Sequence, residues 1–600
     1  MRVAAERAEA AADQQYQNPS AERLVQATEN YQTALADWRK LGDAAKEGEI
    51  LYHLGAVHRM RGKIPEALDL FEQALAVERR LGDRAWQATI LNQRGLAEVS
   101  LSRFSDALST FDEALALRRA LGDEALTGPI LNNLGLVQQS LGNIRQARDA
   151  YREAREIFHR TGDRRREGIA LGNLGGTQRA LGEPLAAVDS FTQALAAARE
   201  TGDRAGEAEW LNGIGAIQQG VGDPQAALEN YTAALRIFRD LGDRAKQAAV
   251  LGNLGAFNLE AGEPEKAIDL FEQEIELYRQ VGDRKGEALS LTDLGRADAQ
   301  AGRRPEAVER LNQALAIERE IGDRSGEAAT LSYLGFAQTS HGSPREAVEP
   351  LTRSLMLWHE IGDVVGEGRA QHFLGLAHAA VGDAPAALAA FGEALRLRRS
   401  VGDPAGEIAT LQEIGRTEMA RGNLEAARAA LEPALEKVES LRTRISADRL
   451  RSSYFASLRD AYELEIDLLM SLHARQPAAG FDAMAFQTAE RARARSLLDL
   501  LREARVEIRR GADPALLDEE RRSRVGLDAK AERLTRVLAG KPTPEQAAEA
   551  RRELAEAETA YELAEGRLRA ALPAYGNLVH PEPVKLAEIQ ALLDGDTVLL

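Results

Sequence analysis

The chain has 600 residues, a formal net charge of -18, a pI near 5.2 and no cysteine. The acidity argues against a nucleic-acid or anionic-membrane surface, because phosphates are repelled unless basic residues are strongly segregated. The missing cysteine excludes disulfides, thiolate metal sites and a cysteine nucleophile within these residues.

The N-terminal stretch MRVAAERAEAAADQQ has no apolar core of signal-peptide length, and nowhere do eighteen uncharged apolar residues run together. A cytoplasmic chain is expected. Residues 23–42 carry one helical pattern, with Ala27, Tyr31, Ala34 and Leu35 in phase, so 1–42 reads as an N-terminal helix and a capping half repeat.

From residue 43 the dipeptide Gly-Asp marks a strict period: it stands at 42-43, 82-83 and every forty residues through 402-403. A fixed period of this length predicts a stacked solenoid. Each unit divides into two helices. Gly42 follows the last apolar residue of one helix, where a left-handed residue is needed, and Asp43 can cap the next. A second turn falls at Gly62 and recurs every forty residues through Gly422, except that Ser102 replaces glycine.

Leu51 and Leu54 mark the buried stripe of the first helix; Ala67, Leu68, Phe71, Ala74, Leu75 and Leu81 mark that of the second. Gly55 and its equivalents through Gly415 fall inside the first helix, where glycine costs roughly 1 kcal/mol relative to alanine. Close helix packing is the expected reason. Ala67 recurs in all ten units, through Ala427.

Leu-Gly followed by a turn glycine, then Ala67, Phe71 and Ala74, resembles the tetratricopeptide repeat in a forty-residue form, over residues 43–442. Two features depart from that family: polar residues such as His58, Gln138 and Gln178 replace an aromatic after the glycine, and the terminal proline is missing. The resemblance implies an all-α fold, a right-handed α-solenoid of about ten helix-turn-helix repeats whose first helices line a concave groove for a protein or peptide ligand.

In that groove Asn133, Asn173 and Asn253 share one repeat position, and Asn92, Asn132 and Asn212 share the preceding one. Side-chain amides donate and accept at once and so suit a peptide backbone; alternatively they solvate an exposed helix face. Trp210, Tyr333, Phe336 and Phe373 could supply pockets or belong to the core. Gly128-Pro129 in repeat three predicts either a helix starting at Pro129 or a hinge between repeats two and four. His53 and His58 read as surface positions. No phosphate loop, HExxH or GxSxG motif occurs, and the histidines lack metal-ligand spacing, so no cofactor, metal or catalytic residue is expected.

The period ends near 442. Capping and linker helices are expected over 443–505, where Arg491, Arg493 and Arg495 read as a charged helix face rather than an anion site. A long helical hairpin is expected over 506–572, broken by GKPTPEQ. Over 573–600 DGDTVLL reads as a short terminal β-strand, and a strand without partners suggests truncation at a domain entrance.

The segments SSYFASLRDAYELEIDLLM, AERARARSLLDLL and LAEIQALLDGDTVLL are similar to the region joining tetratricopeptide repeats to a CHAT domain. That resemblance implies a caspase-like histidine and cysteine pair elsewhere in such proteins. Neither carries over here, since cysteine is absent and His580 precedes the expected strand. The leading expectation is a non-catalytic interaction scaffold, the regulatory arm of a CHAT protease. The alternatives are a caspase-like peptidase whose catalytic part lies beyond residue 600, and a freestanding adaptor whose strand completes a partner's sheet.

Overall fold

The computed structural model describes residues 1–17, 19–220, 223–340, 342–444, 453–503, 513–539 and 543–571. The expected terminal strand, His580 and the glycine of the GKPTPEQ turn lie outside the described residues. What is described is helical, and its packing divides into two units. The first is residues 1–181 and 185–210; the second is 182–184 and 211–600.

One local device builds every repeat. The glycine of each Gly-Asp pair takes a left-handed conformation, φ 70° at Gly42 and between 66° and 81° at the other nine. The aspartate then turns its carboxylate onto the backbone N–H three residues ahead. Asp43 accepts from Lys46 at 3.2 Å and Asp283 from Gly286 at 2.9 Å, and all ten aspartates do the same. One dipeptide thus satisfies an orphan carbonyl behind and an orphan amide ahead. At the second turn Ser102 adopts φ 56°, the one non-glycine with positive φ among the described residues.

Packing explains the two invariant small columns. The alanines from Ala67 to Ala427 are fully buried in all ten repeats. A Cβ placed on Gly55 would stand 2.6 Å from the Phe71 ring, and one on Gly255 would stand 2.5 Å from Phe271. The mid-helix glycines therefore seat the aromatic of the second helix, as the sequence implies. Leu311, Leu351 and Leu431 take that seat where the aromatic is absent.

In the first unit, Arg2–Gln17 and Ala21–Leu41 pack as a pair ahead of repeat one, with Trp38 Nε1 donating to Glu9 at 3.1 Å and Tyr31 Oη to Asp13 at 2.6 Å. Residues 23–42 thus have a partner helix. The first helix of repeat three runs Glu124–Ser140 without a break. It does not start at Pro129: its start is fixed by the Asp123 cap, and Pro129 sits one turn inside. Gly128 beside it admits the Phe158 ring, 2.7 Å from where a Cβ would stand.

In both units successive first helices pack directly on one another: Ala44–Met60 on Arg84–Ser100 in the first, and Arg324–Ser340 on Val364–Val381 most extensively in the second. Among the described residues no two successive second helices pack comparably. The first helices therefore form the inner face within each unit.

At the end of the second unit, Ser453–Arg475 and Phe481–Glu503 cover repeat ten, with Leu464, Leu468 and Phe481 packed on Leu424, Ala427 and Leu431. The pair Pro514–Ala539 and Pro544–Ala571 folds back against repeat nine. Its Leu534, Ala547 and Ala550 bury Val401 beside Val364 and Val365.

Candidate functional site

The first helices expose two neighbouring columns of side chains, because adjacent residues on a helix point about 100° apart and both can border the seam to the next helix. The six asparagines occupy these columns, all half-buried. They come together in pairs across the repeat seam. In the first unit Asn133 Nδ2 donates to Asn92 Oδ1 at 3.0 Å and Asn173 Nδ2 to Asn132 Oδ1 at 3.1 Å. In the second, Asn253 Nδ2 donates to Asn212 Oδ1 at 3.0 Å. Each pair spans one repeat plus one residue, so the two columns are two halves of one contact.

This pairing changes what the amides can do. Each asparagine holds its neighbour with one end, which fixes its rotamer, and turns the other end outward. Among the described residues the outward ends, Oδ1 of Asn133, Asn173 and Asn253 and Nδ2 of Asn92, Asn132 and Asn212, have no protein partner. A held amide loses less entropy on binding than a free one.

The four aromatics divide. Trp210 is not a pocket wall: it stacks on Phe191 with ring centroids 5.9 Å apart, and its ring fills the space over Gly172. Tyr333 lies between two guanidiniums, Arg296 at 4.8 Å and Arg369 at 5.7 Å from its ring centroid. Arg369 Nη1 also donates to the Tyr333 hydroxyl at 2.9 Å. Phe336 and Phe373 form a tilted pair with centroids 4.8 Å apart, and Phe336 is 37% exposed.

The histidines correct the sequence reading. His53 is half-buried, stacked on Tyr31 at 5.6 Å and edge-on to Tyr16 and Tyr52. His58 is half-buried too, and burial lowers both imidazoles from the ordinary value. Their Nδ1 atoms have no hydrogen-bond partner.

Several titratable groups escaped the sequence reading. Glu274 takes the place of a buried alanine in repeat six and is 6% exposed; burial pushes its carboxyl up to about 8, with the Ser290 hydroxyl holding it partly down. Burial likewise raises Glu318 to about 7 and lowers His372 to about 3. Arg296 and Arg369 were also missed. The available signal was departure from the repeat: the Arg296 position holds alanine, leucine or glycine in repeats one to six.

Tetratricopeptide repeat is the family description that matches residues 20–80, 86–160, 166–240 and 246–320. No curated protein matches the chain. Solved structures similar to it include BtubC (BKLC) from P. vanneervenii, at 22% identity over 37% of this chain and 93% of that one, with a TM-score of 0.34. Another is a signal transduction ATPase with numerous domains and a tetratricopeptide repeat sensor from Pyrococcus horikoshii, at 15% identity, 58% and 52% coverage and a TM-score of 0.45. The apo quorum sensor NprR from B. thuringiensis is similar at 13% identity, with 57% and 99% coverage and a TM-score of 0.42. The forty-residue period, the paired helices and the family match together make this chain a tetratricopeptide-repeat solenoid.

Proposed function

We propose that the chain is a non-catalytic scaffold that binds a protein or an extended peptide along the inner face of its first helices, and that it serves as the regulatory arm of a CHAT protease. The observation that carries the binding part is the paired amides: Asn92 with Asn133, Asn132 with Asn173 and Asn212 with Asn253 each present a fixed donor and acceptor across a repeat seam. A peptide backbone offers the complementary groups at every residue, so such contacts grip without demanding one sequence.

The CHAT part rests on the resemblance of residues 443–600, and a cytoplasmic location belongs to the same reading. Among the described residues no helix is long and apolar enough to cross a membrane.

Affinity capture from the source lysate with the 600-residue chain tests the binding part. The variant Asn133→Ala, Asn173→Ala, Asn253→Ala should lose the captured partner while keeping its helical circular dichroism. Equal capture by the variant rejects the amide row as the binding element. Regulation is tested by adding the captured partner to the parent polypeptide and following peptide-bond cleavage. Cleavage that depends on the partner is expected, and cleavage indifferent to it refutes a regulatory arm.

A further inference from the structure

The ten repeats differ most where packing constrains least. On the inner face of repeats seven to nine the asparagines give way to Asp293, Tyr333 and Phe373 in the same column. One turn above and below that column stand Arg296 and Arg369, at positions that hold no other cation in repeats one to nine.

These departures meet. Arg296 from repeat seven and Arg369 from repeat nine both stand over the Tyr333 ring of repeat eight, at 4.8 Å and 5.7 Å from its centroid. The tyrosine hydroxyl fixes Arg369 at 2.9 Å. Asp293 pairs with Arg296 at 2.7 Å. Glu260 also lies close enough to act on Arg296, whereas among the described residues no carboxylate pairs with Arg369, so that guanidinium is left without a counter-ion inside a chain of net charge -18. At physiological salt the remaining acidic surface is screened beyond about 8 Å, which leaves the local cation in control of what docks there.

We infer that Arg296, Tyr333 and Arg369, with Phe336 and Phe373 beside them, form a subsite for an extended peptide segment that carries an apolar side chain close to a side-chain carboxylate. The inference rests on the inner face being the binding face. A carboxylate matches the planar fork of a guanidinium already oriented by a ring and a hydroxyl. The phenylalanine pair offers an apolar seat, since Phe336 remains 37% exposed.

Spacing follows from the helix. Tyr333 and Phe336 are three residues apart, a rise of about 4.5 Å, and an extended chain advances about 3.3 Å per residue. The carboxylate and the apolar side chain therefore belong to residues one or two apart. Leu289, on the same helix face as Asp293 and Arg296, at the repeat position of Arg369 and 62% exposed, offers a second apolar contact.

The test is an array of amidated dodecapeptides of Ala, Ser and Gly, each with one Leu and one Glu at spacings of one to five, and a matched set with Gln for Glu. Further arms place the anion on phosphoserine or on a free C-terminal carboxylate. Each is probed with the purified 600-residue chain. Retention should peak at spacings of one or two and fall at least fivefold for Gln. Arg369→Ala and Phe336→Ala should each lower it at least fivefold, with Arg369→Lys recovering part, and all three variants should melt with the wild type.

Equal retention of Glu and Gln peptides, or indifference to Arg369→Ala, overturns the assignment. So does retention confined to the phosphoserine or free-carboxylate arms. If the triple asparagine variant loses peptides that Arg369→Ala keeps, the amide row stands and this subsite alone falls. Absence of any retained peptide counts against both.

Discussion

Replacing Glu274 with glutamine should make the protein more stable in base and leave it unchanged in acid. The column that contains Glu274 holds alanine at Ala74, Ala114, Ala154, Ala194, Ala234 and Ala314, so a carboxyl stands where the fold provides a methyl-sized, dry seat. Gly252 supplies the extra room: a Cβ there would lie 2.5 Å from a Glu274 oxygen. Burial raises the carboxyl from its ordinary 4.5 to about 8, and the Asp293 charge adds to the rise. A folded midpoint above the unfolded one means that the native state binds the proton more tightly. The resulting stability is complete below about pH 4.5 and drains away as pH rises through 8. At about 1.4 kcal/mol per pH unit between the two midpoints, the wild type should lose on the order of 5 kcal/mol that the glutamine variant keeps.

The assay is urea unfolding of both proteins at pH 5 and pH 9, with hydrogen exchange of repeats six and seven read in parallel. A long repeat array need not unfold in one step, and exchange reports the local loss directly. Titrating groups distant from residue 274 cancel in the difference between the two proteins, whereas Asp293 and Tyr278 feel the Glu274 charge and do not. The variant and wild type should agree at pH 5 and separate at pH 9. A variant no more stable than wild type at pH 9 would refute the burial argument.

Three further outcomes follow from the repeat geometry. Ser102→Gly relieves a left-handed β-carbon and should stabilise by about 1 kcal/mol, read as a raised thermal midpoint; a lowered midpoint would contradict the positive φ at that turn. Ala227→Leu adds atoms to a fully buried seat and should cost about 1 to 3 kcal/mol, so unchanged thermal unfolding would contradict the assigned repeat phase. Val401→Asp puts a charge beneath Leu534 and should raise hydrogen exchange in Pro514–Ala539 without changing that of repeats six and seven; uniform exchange would show that the hairpin does not rest on repeat nine.

Much of the fold was legible because the turns are written in residues that do little else. Gly-Asp ends one helix and begins the next, and both partners of its hydrogen bonds lie within five residues, so local sequence decides the outcome. Pro129 misled for a related reason. A proline suggests a helix start, yet Asp123 had already capped the helix, and one missing hydrogen bond is a smaller loss than abandoning a seam that buries Ile130, Leu131 and Leu134. His53 misled because three tyrosines close on it, and one of them, Tyr16, stands on a helix outside the forty-residue period.

The candidate site was only half legible, and the asparagines show why. A period assigns residues to columns but says nothing about the stagger between neighbouring helices. Asn92 and Asn133 look like members of separate columns until the stagger of one repeat plus one residue brings them to 3.0 Å. The cluster of Arg296, Tyr333 and Arg369 is a sharper case, since its three members come from three repeats and from three different repeat positions. In an array whose packing columns are nearly uniform, the uniform columns specify the fold, and the exceptions call for a separate physical account. Glu274 and Arg369 are both exceptions, yet only one faces outward. Glu274 is sealed against Gly252, whereas Arg369 is half-buried beside Tyr333 and among the described residues has no carboxylate partner, which is why the proposed subsite is built on it.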